Sequence, residues 1–165
     1  MSHAFQIHKQ DAAYFLTSTA VEWVDAFMRS QHKQILCDSL NYCVDVKGLE
    51  IFSYVIMSSH MHMIARAKEG NLSDIIRDFK KFTSAMLIKD LRTSAESRSG
   101  WMLDLFKAGG EKQKRNRQCN YGNIIIMQWK FSVRSLHYQK YYTFIIILLR
   151  PDLLEELKII CLAVL

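Results

Sequence analysis

The chain has 165 residues, half of them hydrophobic and only one of them proline, so its composition favours a single packed domain. Lys and Arg outnumber Asp and Glu by 22 to 16, and the net charge of +6 suits an anionic partner such as nucleic acid without requiring one. The four cysteines have no metal-knuckle spacing, and the longest apolar run, Tyr141 to Leu149, is far shorter than the ~20 residues that cross a membrane. Because no apolar segment opens the chain, we expect a cytoplasmic protein with reduced thiols and no membrane partner.

The first part of the chain alternates between strand and helix patterns. Tyr14 to Phe27 is rich in Thr, Val, Trp and Phe, which indicates a strand with its following turn. Ser30 to Val46 has apolar residues at helical spacing, and Gly48 supplies the stop. Two strands follow, Glu50 to Met57 and His60 to Ala67, and the short polar turn between them predicts a hairpin.

A second helix follows the hairpin and completes the outline of a fold. Asn71 is placed to cap this helix, which extends to about Leu91. Its predicted buried stripe consists of Leu72, Ile75, Ile76, Phe79 and Met86. The order strand, helix, strand, strand, helix is most of a ferredoxin-like α+β fold, in which an antiparallel sheet has its helices packed on one face.

The segments after the second helix are less regular. One more strand or helix is expected beyond residue 100, where Trp101 to Lys107 forms a short amphipathic segment. Gly109 to Gln118 is a charged linker, which is either a solvated loop or a contact with DNA. Beyond Cys119, runs of isoleucine and tyrosine show no clear alternation and contain few turn residues.

Two histidines at the start of the predicted third strand are the strongest candidates for chemistry. Side chains alternate across a strand, so His60 and His62 point to one face and Met61 and Met63 to the other. Two neighbouring imidazoles are a ready pair of metal ligands. The alternative is two polar residues on the solvent face of a strand.

The surrounding sequence, YVIMSSHMHMIARA followed by GNLSDIIRDFKKFTSAML, is a specific combination. This part of the chain resembles the single-tyrosine HUH transposases. The resemblance rests on a strand ending in Y-V-I-M, two small residues, H-x-H, an apolar strand and then L-S-x-I-x-R-D-F-K-x-x-T-S. Within that family this part of the chain resembles the REP-associated tyrosine transposases, which have an IS200-like domain, over roughly residues 14 to 110. Ser59 departs from the family's usual Asn, and because Ser also suits a turn we expect the change to be tolerated.

The resemblance implies a mechanism and a set of partners. His60 and His62 would bind a divalent ion, Mg²⁺ or Mn²⁺, that polarises the scissile phosphate of single-stranded or hairpin DNA. A tyrosine hydroxyl would attack this phosphate and leave a 5′-phosphotyrosine link with a free 3′-OH, so that rejoining needs no ATP. Such a protein would be nucleoid-associated, and since relatives include both dimers and monomers, a homodimer stays open.

Three cations on the second helix are the predicted DNA contacts. Arg77, Lys80 and Lys81 fall largely on the side of this helix opposite its apolar stripe. They would contact phosphates and make binding depend on salt. The alternative is a solvated basic face with no partner.

The family's tyrosine motif, Y-I-x-x-N-P, whose Asn completes the metal site, does not occur after residue 110. Tyr142 is only the in-frame residue nearest the expected nucleophile. A shifted reading frame can encode family motifs here. When the possible codons are read from the last base of the preceding codon, those for Cys119 to Lys130 can encode L-W-Q-H-N-N-H. Those for Leu136 to Leu149 can encode L-S-K-I-L-Y-I-H-N-N-P-V. Both are family motifs, in order and in one frame. We therefore predict a frameshift near residue 118, the alternative being a divergent C-terminus that folds in its own way.

These patterns divide the chain into an HUH transposase-like domain, residues 1–118, and a divergent, out-of-frame tail, residues 119–165. The first functional hypothesis is a transposase that cleaves and rejoins single-stranded DNA, impaired in this copy. The second is a non-catalytic remnant that binds DNA hairpins. A third, an unrelated two-histidine metal hydrolase, ranks low because the sequence near the histidines lacks the carboxylates that would complete its site.

Overall fold

The computed structural model describes residue 7 and residues 9–10, 12–94, 97–112 and 127–131. Within these ranges the elements, in chain order, are β1 (Tyr14–Ala20), α1 (Ser30–Lys47), β2 (Leu49–Ile56), β3 (His60–Ala67), α2 (Leu72–Thr93), α3 (Ser99–Lys112) and β4 (Met127–Phe131). One 3-10 turn, Val21–Trp23, lies between β1 and α1. None of the helices in these ranges is both long enough and apolar enough to cross a membrane.

The four strands form one antiparallel sheet in the order β2-β3-β1-β4. The hairpin of β2 and β3 lies beside β1 through β3, and β4 pairs with the other edge of β1. This order and direction of strands is that of a ferredoxin-like sheet. The predicted α+β class is therefore confirmed, with α3 as an additional helix before the last strand.

The core lies between one face of the sheet and the helices. Met61 and Met63 of β3 are fully buried on that face, against a cluster that includes Leu36 of α1 and Phe79 of α2. Successive residues of a strand point to opposite faces, so the intervening His60 and His62 lie on the face that the helices leave open. The fold thus fixes the orientation of the histidine pair through the burial of its neighbours.

The ends of α1 and α2 follow the predicted positions, but one cap uses different chemistry. Gly48 ends α1 with a φ of 70°, a left-handed conformation that glycine adopts at little cost. Asn71 occupies the N-cap position of α2, yet its side chain makes no capping hydrogen bond. The amide oxygen of Gln10 accepts a hydrogen bond from the Ser73 backbone N–H at 2.9 Å instead. The cap therefore comes from a distant residue, which local sequence patterns do not reveal.

The buried stripe of α2 differs from its prediction at the C-terminal end. Met86 is only partly buried, whereas the adjacent Leu87 and Ile88 are buried. The last turns of α2 pack beside the start of α1, where Asp90 accepts hydrogen bonds from Gln31 and pairs with His32. Because the element that packs against α2 changes along its length, the buried side of this helix turns about the helix axis.

The helix α3 is longer than the predicted amphipathic segment. It continues to Lys112, through the first residues of the predicted charged linker. Gly109 is buried in this helix, and a Cβ atom built on it would lie 2.6 Å from Cγ1 of Val21. The helix can therefore approach the Val21–Trp23 turn only because residue 109 has no side chain.

Candidate metal and nucleic-acid site

His60 and His62 lie side by side on the open face of the sheet. Their ring centroids are 4.9 Å apart and the ring planes are inclined by 76°. Both side chains are half-buried, whereas the intervening Met61 is fully buried on the opposite face. The strand β3 thus presents two imidazoles together, as the period-two spacing predicts.

Each imidazole is held by a hydroxyl group through its Nδ1 atom. Thr17 Oγ1 lies 2.8 Å from Nδ1 of His62, and Ser59 Oγ lies 3.2 Å from Nδ1 of His60. A hydroxyl group can accept from or donate to a ring nitrogen, and where it accepts from Nδ1–H, Nε2 keeps its lone pair. In that tautomer Nε2 is the atom of each ring that can bind a metal ion.

The environment keeps both rings neutral. Burial lowers the pKa of His60 below its usual value. Burial, with a smaller contribution from the neighbouring His60, lowers the pKa of His62 to about 4. The neutral imidazole is the form that coordinates a metal ion, so at neutral pH no proton has to leave either ring before binding.

Two aromatic rings flank the histidine pair. Phe15 of β1 stacks on His62, with centroids 5.3 Å apart and planes inclined by 26°. Trp23 meets His60 edge to face, at 5.4 Å between centroids and 67° between planes. Thr17, Phe15 and Trp23 were not identified from the sequence, because their proximity depends on the pairing of β1 with β3, in which Thr17 faces His62.

The histidines supply two ligands of a candidate metal site. Among the described residues no group of three or more His, Cys, Asp or Glu side chains is positioned to hold an ion. The Y-I-x-x-N-P motif, with its Asn, is absent from the sequence after residue 110. Tyr142, the in-frame residue nearest the expected nucleophile, lies outside the described residues. A pair of neutral imidazoles therefore forms the described part of the site.

A comparison with protein families matches residues 21–109, more than half of the chain, to the family described as "Transposase IS200 like". This chain belongs to the IS200-like transposase family. The matched residues include β2, β3 and α2, and with them the histidine pair and the whole helix that follows it. The resemblance found in the HMH motif and its following helix is therefore confirmed at the level of the family.

A solved structure of a REP-associated tyrosine transposase bound to a REP hairpin aligns with 15% identity and a TM-score of 0.49. The alignment covers 87% of this chain and 68% of that one. No curated protein matches the chain. The family match alone carries the assignment.

The predicted DNA-binding cations of this IS200-like chain lie away from the histidines. Arg77 and Lys81 are exposed and Lys80 is half-buried, all on α2, which packs on the opposite face of the sheet from His60 and His62. Arg77 is 2.5 Å from Asp74 and 3.4 Å from Asp78, so two carboxylates partly offset its charge. The fold therefore does not bring these cations and the histidines to one surface.

Proposed function

We propose that this chain is a transposase-type protein whose histidine pair engages a phosphate of single-stranded or hairpin DNA. Its family membership supports a transposase, and its net charge of +6 suits a DNA partner. The observation that carries the proposal is the pair of neutral imidazoles, each with Nδ1 held by a hydroxyl group. The activity that fits is cleavage and rejoining through a phosphotyrosine link, impaired in this copy.

A divalent ion, Mg²⁺ or Mn²⁺, fits the donor pair. His60 and His62 would hold it through Nε2, and its remaining positions would fall to water, phosphate oxygens or a side chain outside the described residues. The ion would polarise the phosphate and stabilise the charge that develops on its oxygens. Imidazole is a softer ligand than Mg²⁺ prefers, so Mn²⁺ is the sharper probe of this site.

The residues around the pair orient it. Thr17 and Ser59 hold the rings through Nδ1, and Phe15 and Trp23 restrict rotation of the rings. Ser59 also accepts a hydrogen bond from the Ala20 backbone N–H at 2.8 Å, which ties the turn before His60 to the end of β1. Strand cleavage requires the phosphate to be held within a fraction of an ångström, and this network provides such a support.

The test is DNA binding and nicking by the full chain, with hairpin oligonucleotides carrying single-stranded flanks. We expect binding that Mn²⁺ strengthens and EDTA weakens, and loss of that metal dependence in His60→Ala and His62→Ala. A matched control is His32→Gln, because His32 is buried between α1 and α2 and lies outside the pair. Absence of DNA binding by the intact chain, or metal dependence that survives both replacements, would overturn the proposal.

A second candidate function is a hairpin-binding remnant without catalysis. The absence of Y-I-x-x-N-P after residue 110 favours it. Denaturing gels separate the two functions, because only strand cleavage leaves a covalent protein–DNA adduct and a shortened strand. Metal-dependent DNA binding with neither the adduct nor the shortened strand would indicate that the chain is a hairpin-binding remnant without catalysis.

We further propose that Arg77, Lys80 and Lys81 contact phosphates of a DNA segment outside the histidine site. Replacing all three with Ala should flatten the dependence of log Kd on log salt by roughly one unit of slope or less per lost contact. Its pairing with Asp74 and Asp78 should reduce the effect of Arg77. Lys89→Ala, an exposed lysine two turns further along α2, is the control. An unchanged salt slope in the triple variant would show that the three cations are solvated and do not contact DNA.

A further inference from the structure

Trp23 is an exposed aromatic residue at the edge of the histidine site. Its side chain is 57% exposed, although tryptophan is among the residues with most to gain from burial. One edge contact with the His60 ring, at 5.4 Å between centroids, is its ring contact in the described part of the chain. A large apolar ring is therefore displayed beside the site where a phosphate is proposed to bind.

The backbone that carries this ring is strained. Glu22 and Trp23 have φ values of 54° and 57°, the left-handed region that side chains other than glycine rarely adopt. Two consecutive residues in this region persist only where the surrounding structure imposes them, and such strain concentrates at functional sites. The display of Trp23 is therefore a fixed feature of the fold.

Contacts on both sides of the turn impose this conformation. Val21 is buried and packs against Gly109 of α3. The Ala20 backbone N–H donates to the Ser59 carbonyl at 2.8 Å, and the Val24 N–H donates to the Val21 carbonyl at 3.3 Å. The turn is thus held to α3 on one side and to the turn before His60 on the other, so that Trp23 and His60 keep a constant relation.

We infer that Trp23 stacks on a nucleobase of single-stranded DNA, next to the phosphate held at His60 and His62; this rests on the proposed function. A base lies within one nucleotide of its own phosphate, which is the scale of the distance between the Trp23 and His60 rings. Stacking on an aromatic side chain is the usual way in which proteins hold unpaired bases, and it tolerates any base because every base has a π face. The ring therefore sets which nucleotide of a single-stranded flank enters the histidine site.

The first experiment measures binding of fluorescent hairpin oligonucleotides with single-stranded flanks to the full chain. Trp23→Ala should raise Kd about 5- to 150-fold, the range for one lost base–aromatic stack, and should leave the salt slope unchanged. Trp23→Phe should retain most of the affinity. Both variants keep a side chain other than glycine at the same left-handed backbone position. The difference between their Kd values therefore measures the effect of the aromatic ring and not that of the backbone strain.

A control comes from a second exposed tryptophan. Trp101 is 49% exposed on α3, and within the described part of the chain it makes no ring contact with the histidines, so Trp101→Ala should leave Kd unchanged. An equal loss in Trp101→Ala and Trp23→Ala would overturn the inference. Circular dichroism of each variant verifies that the fold is retained.

The second experiment combines the protein variants with abasic sites placed singly along the flank. In the unmodified chain one abasic position should weaken binding more than the others, and in Trp23→Ala that position should cause no further loss. Independent effects of the two changes would overturn the inference while leaving the proposed function in place. Failure of the unmodified chain to bind any flank would overturn both. If Trp23→Ala alters the oligomeric state in size-exclusion chromatography and not DNA affinity, a second copy covers the ring and the inference is wrong.

Discussion

At the scale of single residues, the histidine pair depends on hydroxyl groups that come from two different places. Ser59 belongs to the turn that immediately precedes His60, whereas Thr17 lies 45 residues before His62 and reaches it across the pairing of β1 with β3. The Ser59 hydroxyl contacts His60 Nδ1 at 3.2 Å and so supplies a polar partner for this ring. The orientation of both rings is therefore built into the fold before any ligand binds.

Removal of the Thr17 hydroxyl should weaken metal binding. Thr17→Val keeps the shape of the side chain but takes away the partner of His62 Nδ1, and loss of such a partner reduces metal affinity by about 10-fold or more. Thr17→Ser should retain the affinity for Mn²⁺, measured by electron paramagnetic resonance titration. Thr93→Val, which removes a hydroxyl that donates to the Lys89 and Asp90 carbonyl groups of its own helix, serves as the control. Equal Mn²⁺ affinities in Thr17→Val and the unmodified chain would show that the hydroxyl does not orient the ring.

Cys43 gives the fold a dependence on alkaline pH. Burial raises the pKa of this thiol to about 11 from a usual value of 9.0, against a smaller opposing effect of Lys47. In the unfolded chain the thiol ionises at the lower pH, so this contribution to stability is complete below pH 9.0 and is lost as the pH rises towards 11. Urea unfolding between these values should show a steeper loss of unfolding free energy in the unmodified chain than in Cys43→Ala. Parallel pH profiles for the two proteins would contradict the prediction.

At the scale of elements, the position of α3 depends on one glycine. Gly109→Ala should lower the free energy of unfolding by about 1–3 kcal/mol, because the new Cβ would overlap Val21 Cγ1. Without that neighbour the same change inside a helix would raise stability by up to about 1 kcal/mol. Gly100→Ala provides the comparison, since a Cβ on Gly100 meets nothing within 4 Å. Urea unfolding measures both variants.

A second replacement tests the reason for that loss. Val21→Ala removes the methyl group that the new Cβ would meet, so the double variant should be more stable than the sum of the two single effects implies. If the effects of Gly109→Ala and Val21→Ala simply add, the contact between α3 and the Val21–Trp23 turn does not limit residue 109.

Local patterns predict the elements well where one face of each is buried throughout. The bounds of β3 agree with the prediction at both ends, because the alternation of histidine and methionine marks a half-open strand. The helix α1 likewise begins at Ser30 and ends beside Gly48 as predicted. These features depend on residues that are close in sequence, which is why the sequence alone reveals them.

Features that depend on pairing between distant segments were missed. Gln10 caps α2 in place of Asn71, and the rotation of the α2 stripe from Met86 to Leu87 follows from a change of neighbour. The aromatic support from Phe15 and Trp23 likewise exists only once β1 lies against β3. Register and crossing geometry are set by the whole core, and no window along the chain contains them.

At the scale of the whole molecule, the sheet includes a strand from the segment set apart as a tail. Residues 127–131 pair with β1, the strand that supplies Thr17, and they lie beyond the predicted boundary at residue 118. The family match ends at residue 109. The division of the chain at residue 118 and the frameshift stay predictions. Both bear on whether the tail contains the tyrosine nucleophile.

The chain as written should cleave DNA far more slowly than a version with the other reading frame restored from about codon 118. Attack on the phosphate requires a tyrosine hydroxyl in line with the leaving oxygen, and small displacements lower the rate by orders of magnitude. The histidine pair is present and oriented, but the tail lacks Y-I-x-x-N-P, so neither the tyrosine nor its accompanying Asn is supplied in the family's pattern. The isoleucine-rich tail should also promote aggregation, which light scattering would detect.

Two proteins and three replacements, assayed on the same hairpin DNA, decide this point. The restored protein should form a 5′-phosphotyrosine adduct with Mn²⁺ or Mg²⁺, and replacement of its recovered tyrosine by Phe should abolish the adduct. In the unmodified chain Tyr142→Phe should change nothing, because Tyr142 is merely the residue nearest the expected position of the nucleophile. An adduct formed through Tyr142 at a rate like that of the restored protein would show instead that the tail is a working variant. His62→Ala should then abolish cleavage in whichever protein is active, since both would share the same phosphate site.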